Sequence, residues 1–232
     1  IPVGWLMRSL HSWGSHLIII VALLHMARVL AYGGYKRPRE VTWMIGVALF
    51  AIILVFGFTG YLLPWDQVAY WGTVVATEAP ASIPVLGPAI QQFMIGGTEV
   101  ADPTLGRFFV IHVFVLPLAL LGLVSLHLVL IRYQGISPLT RTDEPEPAAD
   151  EVARAGGEPF YPHHTLKDLT TVYIVMGVLL TLALVLPPHL GDRADPLVTP
   201  AGIKPEWYFL PAYQLFKYVP EAVGVHAPPL LL

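Results

Sequence analysis

The 232-residue sequence contains no cysteine, and only 12% of its residues are charged. Without cysteine, these residues form no disulfide, no thiolate metal site and no covalent c-type haem attachment. A typical soluble domain has about 25% charged residues, so the low charge indicates a lipid environment instead of water. The sequence also has no signature of nucleic-acid binding.

The sequence contains long apolar runs without the charged residues that a soluble protein would have. Four windows without a charged residue cover positions 9–27, 41–65, 108–131 and 169–191. Each has about the 20 residues that an α-helix needs to cross the hydrocarbon core of a bilayer. The sequence therefore predicts an all-α membrane protein with four transmembrane helices that belong to a larger bundle.

Four histidines recur at matched spacing in two of these windows. His11 and His25 are fourteen residues apart, and His112 and His127 are fifteen apart. At ~100° and ~1.5 Å per residue, each pair falls on roughly one helix face, with about 21 Å between its members. Pro117 follows His112 by five residues, and we expect it to bend the helix and so reconcile the two spacings. Two such helices can hold two haems, each between two imidazoles.

Arginines and glycines accompany the histidines. Arg8 precedes His11 by three residues and Arg28 follows His25 by three, so each histidine has a guanidinium one turn away. A guanidinium binds a carboxylate with two hydrogen bonds, which suits a haem propionate. The glycines that we assign to the haem faces are Gly14, Gly46 and Gly60. Close packing of helices is the alternative explanation for them.

The distribution of basic residues orients the helices. Loop 32–40 has three basic residues, whereas loop 64–107 has one basic residue beside four acids. By the positive-inside rule, the short loop is cytoplasmic. The first histidine of each pair therefore faces the outer side of the membrane, and the second faces the inner side.

Several stretches resemble signature segments of the cytochrome b subunit of cytochrome bc complexes. They are GWLMRSLHSWGSHLIIIVALLHMARV, TGYLLPWDQVAYWG, HVFVLPL, RYQGISPL and PEWYF. The fifteen-residue interval and RYQGISPL are similar to the b6 type, in which a separate subunit IV carries the fourth helix. The chain thus resembles a bacterial fusion of the two.

Three parts follow from this resemblance. Residues 1–135 form a di-haem helical core with an outer interfacial loop at 64–107. Residues 136–165, which are charged, rich in Pro and Ala and without periodicity, form a flexible cytoplasmic linker. Residues 166–232 form a subunit-IV-like segment with a transmembrane helix and an outer PEWY loop.

The resemblance implies a quinol oxidase that separates the two electrons of each quinol and is coupled to proton translocation. One electron goes to a Rieske iron-sulfur protein and on to a c-type cytochrome, and the other crosses two b haems. His11 with His112 would hold the outer haem, and His25 with His127 the inner one. The implied setting is a homodimeric complex among the lipids of a bacterial plasma membrane.

The resemblance also implies the residues of the quinone chemistry. Glu206 would accept a proton and Tyr208 would offer a hydroxyl, with Asp66 as the other candidate acceptor, although Glu206 fits a solvated interfacial carboxylate equally well. Arg132 is the candidate for an inner quinone site. The outer quinol site would be framed by Tyr70, Trp71, Gly72, Pro205 and Trp207.

Two other functions fit parts of the pattern. A simpler di-haem cytochrome could serve a dehydrogenase without separating electrons, but it would not need the PEWY segment. A transporter could use intramembrane histidines to relay protons, and it would show no haem absorption.

Overall fold

The computed structural model of the chain describes residues 3–81, 83, 85–135 and 159–218. All regular elements in this part of the chain are helical, as predicted. In order they are α1 (Gly4–Ala31), α2 (Glu40–Tyr61), α3 (Gln67–Ala81), α4 (Gly87–Ile95), α5 (Asp102–Val110), a π turn (Ile111–Val115), α6 (Leu116–Gln134), a second π turn (Phe160–His164), α7 (Thr165–Val185), a 3-10 turn (Trp207–Phe209) and α8 (Leu210–Tyr218).

Four helical stretches are long and apolar enough to span a membrane, which confirms the four predicted windows. They are Gly4–Ala31, Glu40–Tyr61, Asp102–Gln134 and Phe160–Val185. Two of them end earlier than their windows, because α2 stops three residues before Pro64 and α7 stops two residues before Pro187. Proline cannot continue a helix, and it drives the residue before it toward extended conformations.

Contacts divide the chain into two compact units. The first comprises residues 1–53 and 120–189. In it, α1 packs along α7. The indole N–H of Trp13 donates to the carbonyl of Leu186 at 2.8 Å, and Arg8 donates to the carbonyl of Pro188 at 3.2 Å. These bonds satisfy carbonyls just after the last turn of α7, where no further helical turn supplies N–H donors.

The second unit comprises residues 54–119 and 190–232. Helix α4 begins at Gly87, where a Cβ atom would lie 2.5 Å from the carbonyl oxygens of Pro80 and Ala81, so only glycine permits this close chain reversal. The buried side chains at the centre of this unit are Leu62, Tyr70, Ile95, Val100 and Phe108.

A π turn in the third spanning helix explains the unequal histidine spacing. The N–H of Leu116 donates to the carbonyl of Ile111, five residues back. A π turn holds one residue more than an α turn, so it lengthens the interval from His112 to His127 by one residue without turning the helix face. The sequence predicts a bend at Pro117 as the cause of this match, whereas in the structure the extra residue is absorbed in the π turn just before that proline.

Most of the predicted linker, residues 136–158, lies outside the described residues. The helical segment begins at Phe160, with a kink at Tyr161, and so starts within the predicted linker boundary at 165. The division into core, linker and subunit-IV-like segment therefore stays a prediction.

Candidate functional site

The predicted inner ligands meet in the unit of residues 1–53 and 120–189. His25 and His127 are close enough to interact electrostatically, and the Thr42 backbone hydrogen-bonds the His127 ring. A Cβ atom on Gly46 would lie 3.4 Å from Cε1 of His127, so this glycine lets the ring approach the backbone of α2. Nδ1 of His127 is buried and has no hydrogen-bond partner among the described residues. This environment suits a nitrogen that binds a metal.

His112, in the other unit, has a defined protonation pattern. A Cβ atom on Gly60 would lie only 2.6 Å from its Cε1. Oγ1 of Thr59 lies 3.1 Å from Nδ1 of His112 and donates its own proton to the carbonyl of Val55 at 2.9 Å. With that proton directed to Val55, we assign Nδ1–H of His112 as the donor to Oγ1, a tautomer that would leave the lone pair on Nε2. His11 belongs to the first unit, so its pairing with His112 stays a prediction.

These surroundings fit haem. Haem supplies four nitrogen ligands to its iron and needs only two imidazoles from the protein. Among the described residues, no three His, Asp or Glu side chains gather as ligands for a bare metal ion. Two imidazoles of one helix each lie beside a glycine of α2, and the two glycines are fourteen residues apart. Gly46 and Gly60 thus let two imidazoles approach α2 closely, and their role at two haem faces stays a prediction.

The predicted arginines lie near helix ends. Arg8 donates to the carbonyl of Pro188, so its guanidinium already holds the chain after α7. Arg28 and Arg132 lie in the last turns of α1 and α6. A Cβ atom on Gly14 would meet no described atom within 4 Å, so this glycine borders open space. Roles in propionate, haem-face and quinone binding stay predictions for these four residues.

The PEWY segment packs against α2. Pro205 is half-buried, whereas Trp207 is 41% exposed. The ring of Tyr208 lies against α2 at Gly57. A Cβ atom on Gly57 would be 3.0 Å from Cε2 and 3.0 Å from the hydroxyl oxygen of Tyr208. Burial, and next the negative charge of Glu206, raise the pKa of Tyr208. Tyr208 is therefore protonated at neutral pH and able to donate a hydrogen bond near the carboxylate.

Tyr61 connects the two predicted parts of the quinol site. It is the last residue of α2, and its hydroxyl donates to the carbonyl of Val68 at 3.3 Å. A Cβ atom on Gly72 would lie 2.7 Å from Cε1 of Tyr61. The Tyr61 hydroxyl also interacts electrostatically with Glu206 and Tyr208. The structure thus brings Gly72 and the PEWY segment to the same tyrosine.

Tyr70 and Trp71 have different environments. Tyr70 is 4% exposed and lies in the core of its unit. Its ring makes T-shaped contacts with Trp65 and Trp71, with 5.5 Å between centroids in both cases. The indole N–H of Trp71 donates to the carbonyl of Asp195 at 3.3 Å. Tyr70 therefore has a clear packing role, and the part of either residue in quinol binding stays a prediction.

Sequence reasoning missed three residues of α2, namely Gly57, Thr59 and Tyr61. They all lie in the segment GFTGY, where glycines alternate with polar or aromatic residues at the end of an apolar helix. That composition indicates a helix surface that other side chains or helices can approach closely. The partners of these residues depend on tertiary packing, which spacing alone does not give.

Comparisons with known proteins agree over nearly the whole chain. The family model "Cytochrome b(N-terminal)/b6/petB" matches residues 16–193, and "Cytochrome b(C-terminal)/b6/petD" matches residues 193–227. Cytochrome b of Rickettsia bellii (strain RML369-C) is 39% identical over 226 residues, which are 95% of this chain and 54% of that protein. Cytochrome b of Allochromatium vinosum is 38% identical over 238 residues, covering 97% of this chain and 57% of that protein.

A solved structure agrees as well. A chain of a hyperthermophilic respiratory Complex III has a TM-score of 0.83 and 37% identity, and the match covers 97% of this chain and 60% of that chain. The present chain thus spans between about half and 60% of the length of these relatives. The two family models together run from residue 16, within α1, to residue 227, beyond the PEWY segment. The chain belongs to the cytochrome b/b6 family.

Proposed function

We propose that this chain is the quinol-oxidising cytochrome b subunit of a bc-type complex. His11 with His112 would hold an outer haem b, and His25 with His127 an inner one. When bound, the haems supply one-electron carriers, which are needed to move one electron of each quinol across the membrane. Gly46 and Gly60, the hydrogen bond between Thr59 and Nδ1 of His112, and the buried Nδ1 of His127 support this assignment.

One observation carries the quinol-oxidising part of the proposal. Tyr208 packs against Gly57, and His112 packs against Gly60. These glycines are three residues apart on α2, so they share a helix face and are about 4.5 Å apart along the axis. The PEWY segment therefore adjoins a haem ligand, which a simple electron-conducting cytochrome would not need. This favours quinol chemistry over the dehydrogenase-linked alternative.

Glu206 is the proposed proton acceptor. Oxidation of quinol releases two protons, and a carboxylate beside the reacting hydroxyl can take one of them. Tyr208, which is protonated at neutral pH, can donate a hydrogen bond to quinol or to the carboxylate. The basic residues of loop 32–40 support an outer location for the whole site. A proton accepted there is released on the outer side.

The remaining parts of the proposal concern the assembly. The Complex III relative supports assembly with other subunits, and we assign a Rieske protein and a c-type cytochrome as electron acceptors. A homodimer, surrounding lipid and a bacterial plasma membrane complete the proposal. Arg132 at the inner end of α6 is our candidate for an inner quinone site.

The substitution Glu206→Gln tests the quinol site. It keeps the size of the side chain and removes its basicity, so quinol-driven haem reduction should slow by about 10²-fold while haem content is unchanged. Glu99→Gln is the matched control, since Glu99 is an exposed acid of loop 64–107. Rates should be followed by stopped-flow absorbance across pH. An unchanged rate in Glu206→Gln at every pH would exclude Glu206 as the acceptor.

A further inference from the structure

Two chain segments distant in sequence are joined by hydrogen bonds in the unit of residues 54–119 and 190–232. We call segments 65–67 and 191–198 the loop pair. The first segment connects α2 to α3, and the second follows α7. Their backbone bonds run from the N–H of Gln67 to the carbonyl of Asp192, at 2.8 Å, and from the N–H of Ala194 to the carbonyl of Trp65, at 3.1 Å.

Asp66 adds side-chain bonds to the loop pair. Its Oδ2 accepts the N–H of Gly191 at 3.2 Å, and its Oδ1 accepts the N–H of Ala69 at 2.8 Å. Ala69 lies in the first turn of α3, where backbone N–H groups have no helical partner. One carboxylate therefore caps α3 and holds the start of the second segment.

Gln67 makes the most specific contact. Its Oε1 accepts the N–H of Asp195 at 2.7 Å, and its Nε2 donates to the carbonyl of Val198 at 2.8 Å. One planar amide thus satisfies a donor and an acceptor three residues apart, which fixes both the distance and the direction of the second segment. Glutamate cannot replace it, because a carboxylate has no donor for the carbonyl of Val198.

The loop pair leads directly to the proposed proton acceptor. Seven residues separate Val198 from Glu206. Beyond Glu206, the ring of Tyr208 is held against Gly57 of α2. The stretch that carries Glu206 is therefore fixed on one side by Gln67 and on the other by α2. Loss of the Gln67 side-chain bonds would remove the bond from α3 to Val198, the residue of the loop pair nearest to Glu206, while the backbone bonds, Asp66 and Trp71 still hold residues 191–195.

We propose that Gln67 is a positioning residue, which sets the location of Glu206 by holding the loop pair together. This inference rests on the proposed function, in which Glu206 takes a proton from quinol. A displacement of about 1 Å at a reacting group can lower a rate by about 10²-fold. Replacing Gln67 should therefore slow quinol oxidation although the hydrogen bonds of its side chain go to Asp195 and Val198, which are neither proposed haem ligands nor PEWY residues.

The first experiment measures position independently of activity. These 232 residues contain no cysteine, so spin labels can be attached at Lys204→Cys and Ile90→Cys, both exposed positions. The distance distribution between the labels is measured by pulsed EPR in the assembled complex with reduced haems. We expect it to broaden in Gln67→Glu and in the uncharged Gln67→Met. It should keep the parent width in Gln92→Glu, which makes the same chemical change at an exposed residue of α4.

The second experiment tests whether the position of Glu206 determines the rate of quinol-driven haem reduction. Quinol-driven haem reduction should fall at least tenfold in Gln67→Glu and Gln67→Met, with haem content and haem potentials unchanged. In a Glu206→Gln background, the same substitutions should cause no further loss, because the group that they position is already absent.

The remaining outcomes of these experiments would contradict either the role of Gln67 or the proposed role of Glu206. Parent-width distance distributions, unchanged rates, or losses that multiply in the Glu206→Gln background would each overturn the role of Gln67. Loss of haem in both Gln67 variants would make it a folding residue and likewise overturn the proposal. If Glu206→Gln alone leaves the rate unchanged, the proposed function fails at Glu206, and that result is separate from the distance measurement.

Discussion

Thr59 determines how His112 presents its ring. Oγ1 of Thr59 lies within hydrogen-bond distance of the carbonyl of Val55 and of Nδ1 of the histidine, and we assign its proton to the carbonyl and Nδ1–H as its donor. A hydrogen bond from Nδ1–H makes the opposite nitrogen a stronger electron donor to a metal. In this assignment, one threonine of an apolar helix sets both the tautomer and the donor strength of a proposed haem ligand.

A substitution that removes only the hydroxyl tests this role. In Thr59→Val, the weaker ligand should favour ferrous iron, so the midpoint potential of one haem should rise. A net hydrogen bond of about 0.5–1.5 kcal/mol corresponds to a shift of about 20–60 mV for one electron. Potentiometric titration measures the shift, and Thr59→Ser, which keeps the hydroxyl, should show none. A potential that does not rise in Thr59→Val would contradict the assigned tautomer.

Two glycines of α2 provide a matched comparison. A Cβ atom at position 60 would lie 2.6 Å from the ring of His112, whereas one at position 46 would lie 3.4 Å from the ring of His127, an ordinary contact. An imidazole bound to iron cannot move away without losing its metal. We therefore expect Gly60→Ala to lose one of two haems and Gly46→Ala to retain both, measured as haem per chain in reduced-minus-oxidised spectra. Equal haem contents in the two variants would show that contact distance does not decide binding.

The π turn Ile111–Val115 shows what the sequence can and cannot reveal about an element. Apolar length and charge gave the spans, because lipid imposes simple requirements on every spanning helix. The extra residue between His112 and His127 was visible in the sequence as well. Its location was not, because Pro117 offered a plausible local cause while the π turn depends on hydrogen bonds that the chain adopts on packing.

Loops and contacts between elements were the least predictable features. The Gln67 bonds join segments more than 120 residues apart, and no local sequence pattern predicts such a pairing. Similarly, Gly57 became informative only with Tyr208 lying on it. The histidines were predictable because one helix repeats its own geometry, whereas these contacts depend on how several elements pack.

Deletion of one residue from the π turn tests its function as a spacer. Phe114 is 64% exposed, and its removal should convert the π turn to an α turn with the His112 to His127 register preserved. Both haems should remain. The control is deletion of Val47, an exposed residue of α2 between Gly46 and Gly60, where no π turn can absorb the change. There the two glycines rotate apart by about 100°, and one haem should be lost. Loss of haem in the Phe114 deletion would contradict the spacer role.

At the scale of the whole molecule, both compact units combine chain from before and after residues 136–158. In the first unit, α1 packs on α7, and Trp13 bonds the carbonyl of Leu186. In the second unit, the loop pair and the contact of Tyr208 with Gly57 join the two parts of the chain. We therefore expect the association of the two parts not to depend on the covalent connection between them.

Cleavage of that connection should leave the protein assembled. Residues 137–162 are rich in charge, Pro and Ala, a composition that does not bury a core, so a specific protease site inserted there should be cut. Cutting should occur in inside-out vesicles, because loop 32–40 predicts that this side is cytoplasmic. After cutting, both fragments should elute together with two haems and unchanged quinol-driven haem reduction.

An uncut chain carrying the same insertion is the control. Separation of the fragments would show that the contacts within each unit are too weak to hold the parts together, and cleavage only in right-side-out vesicles would invert the proposed topology.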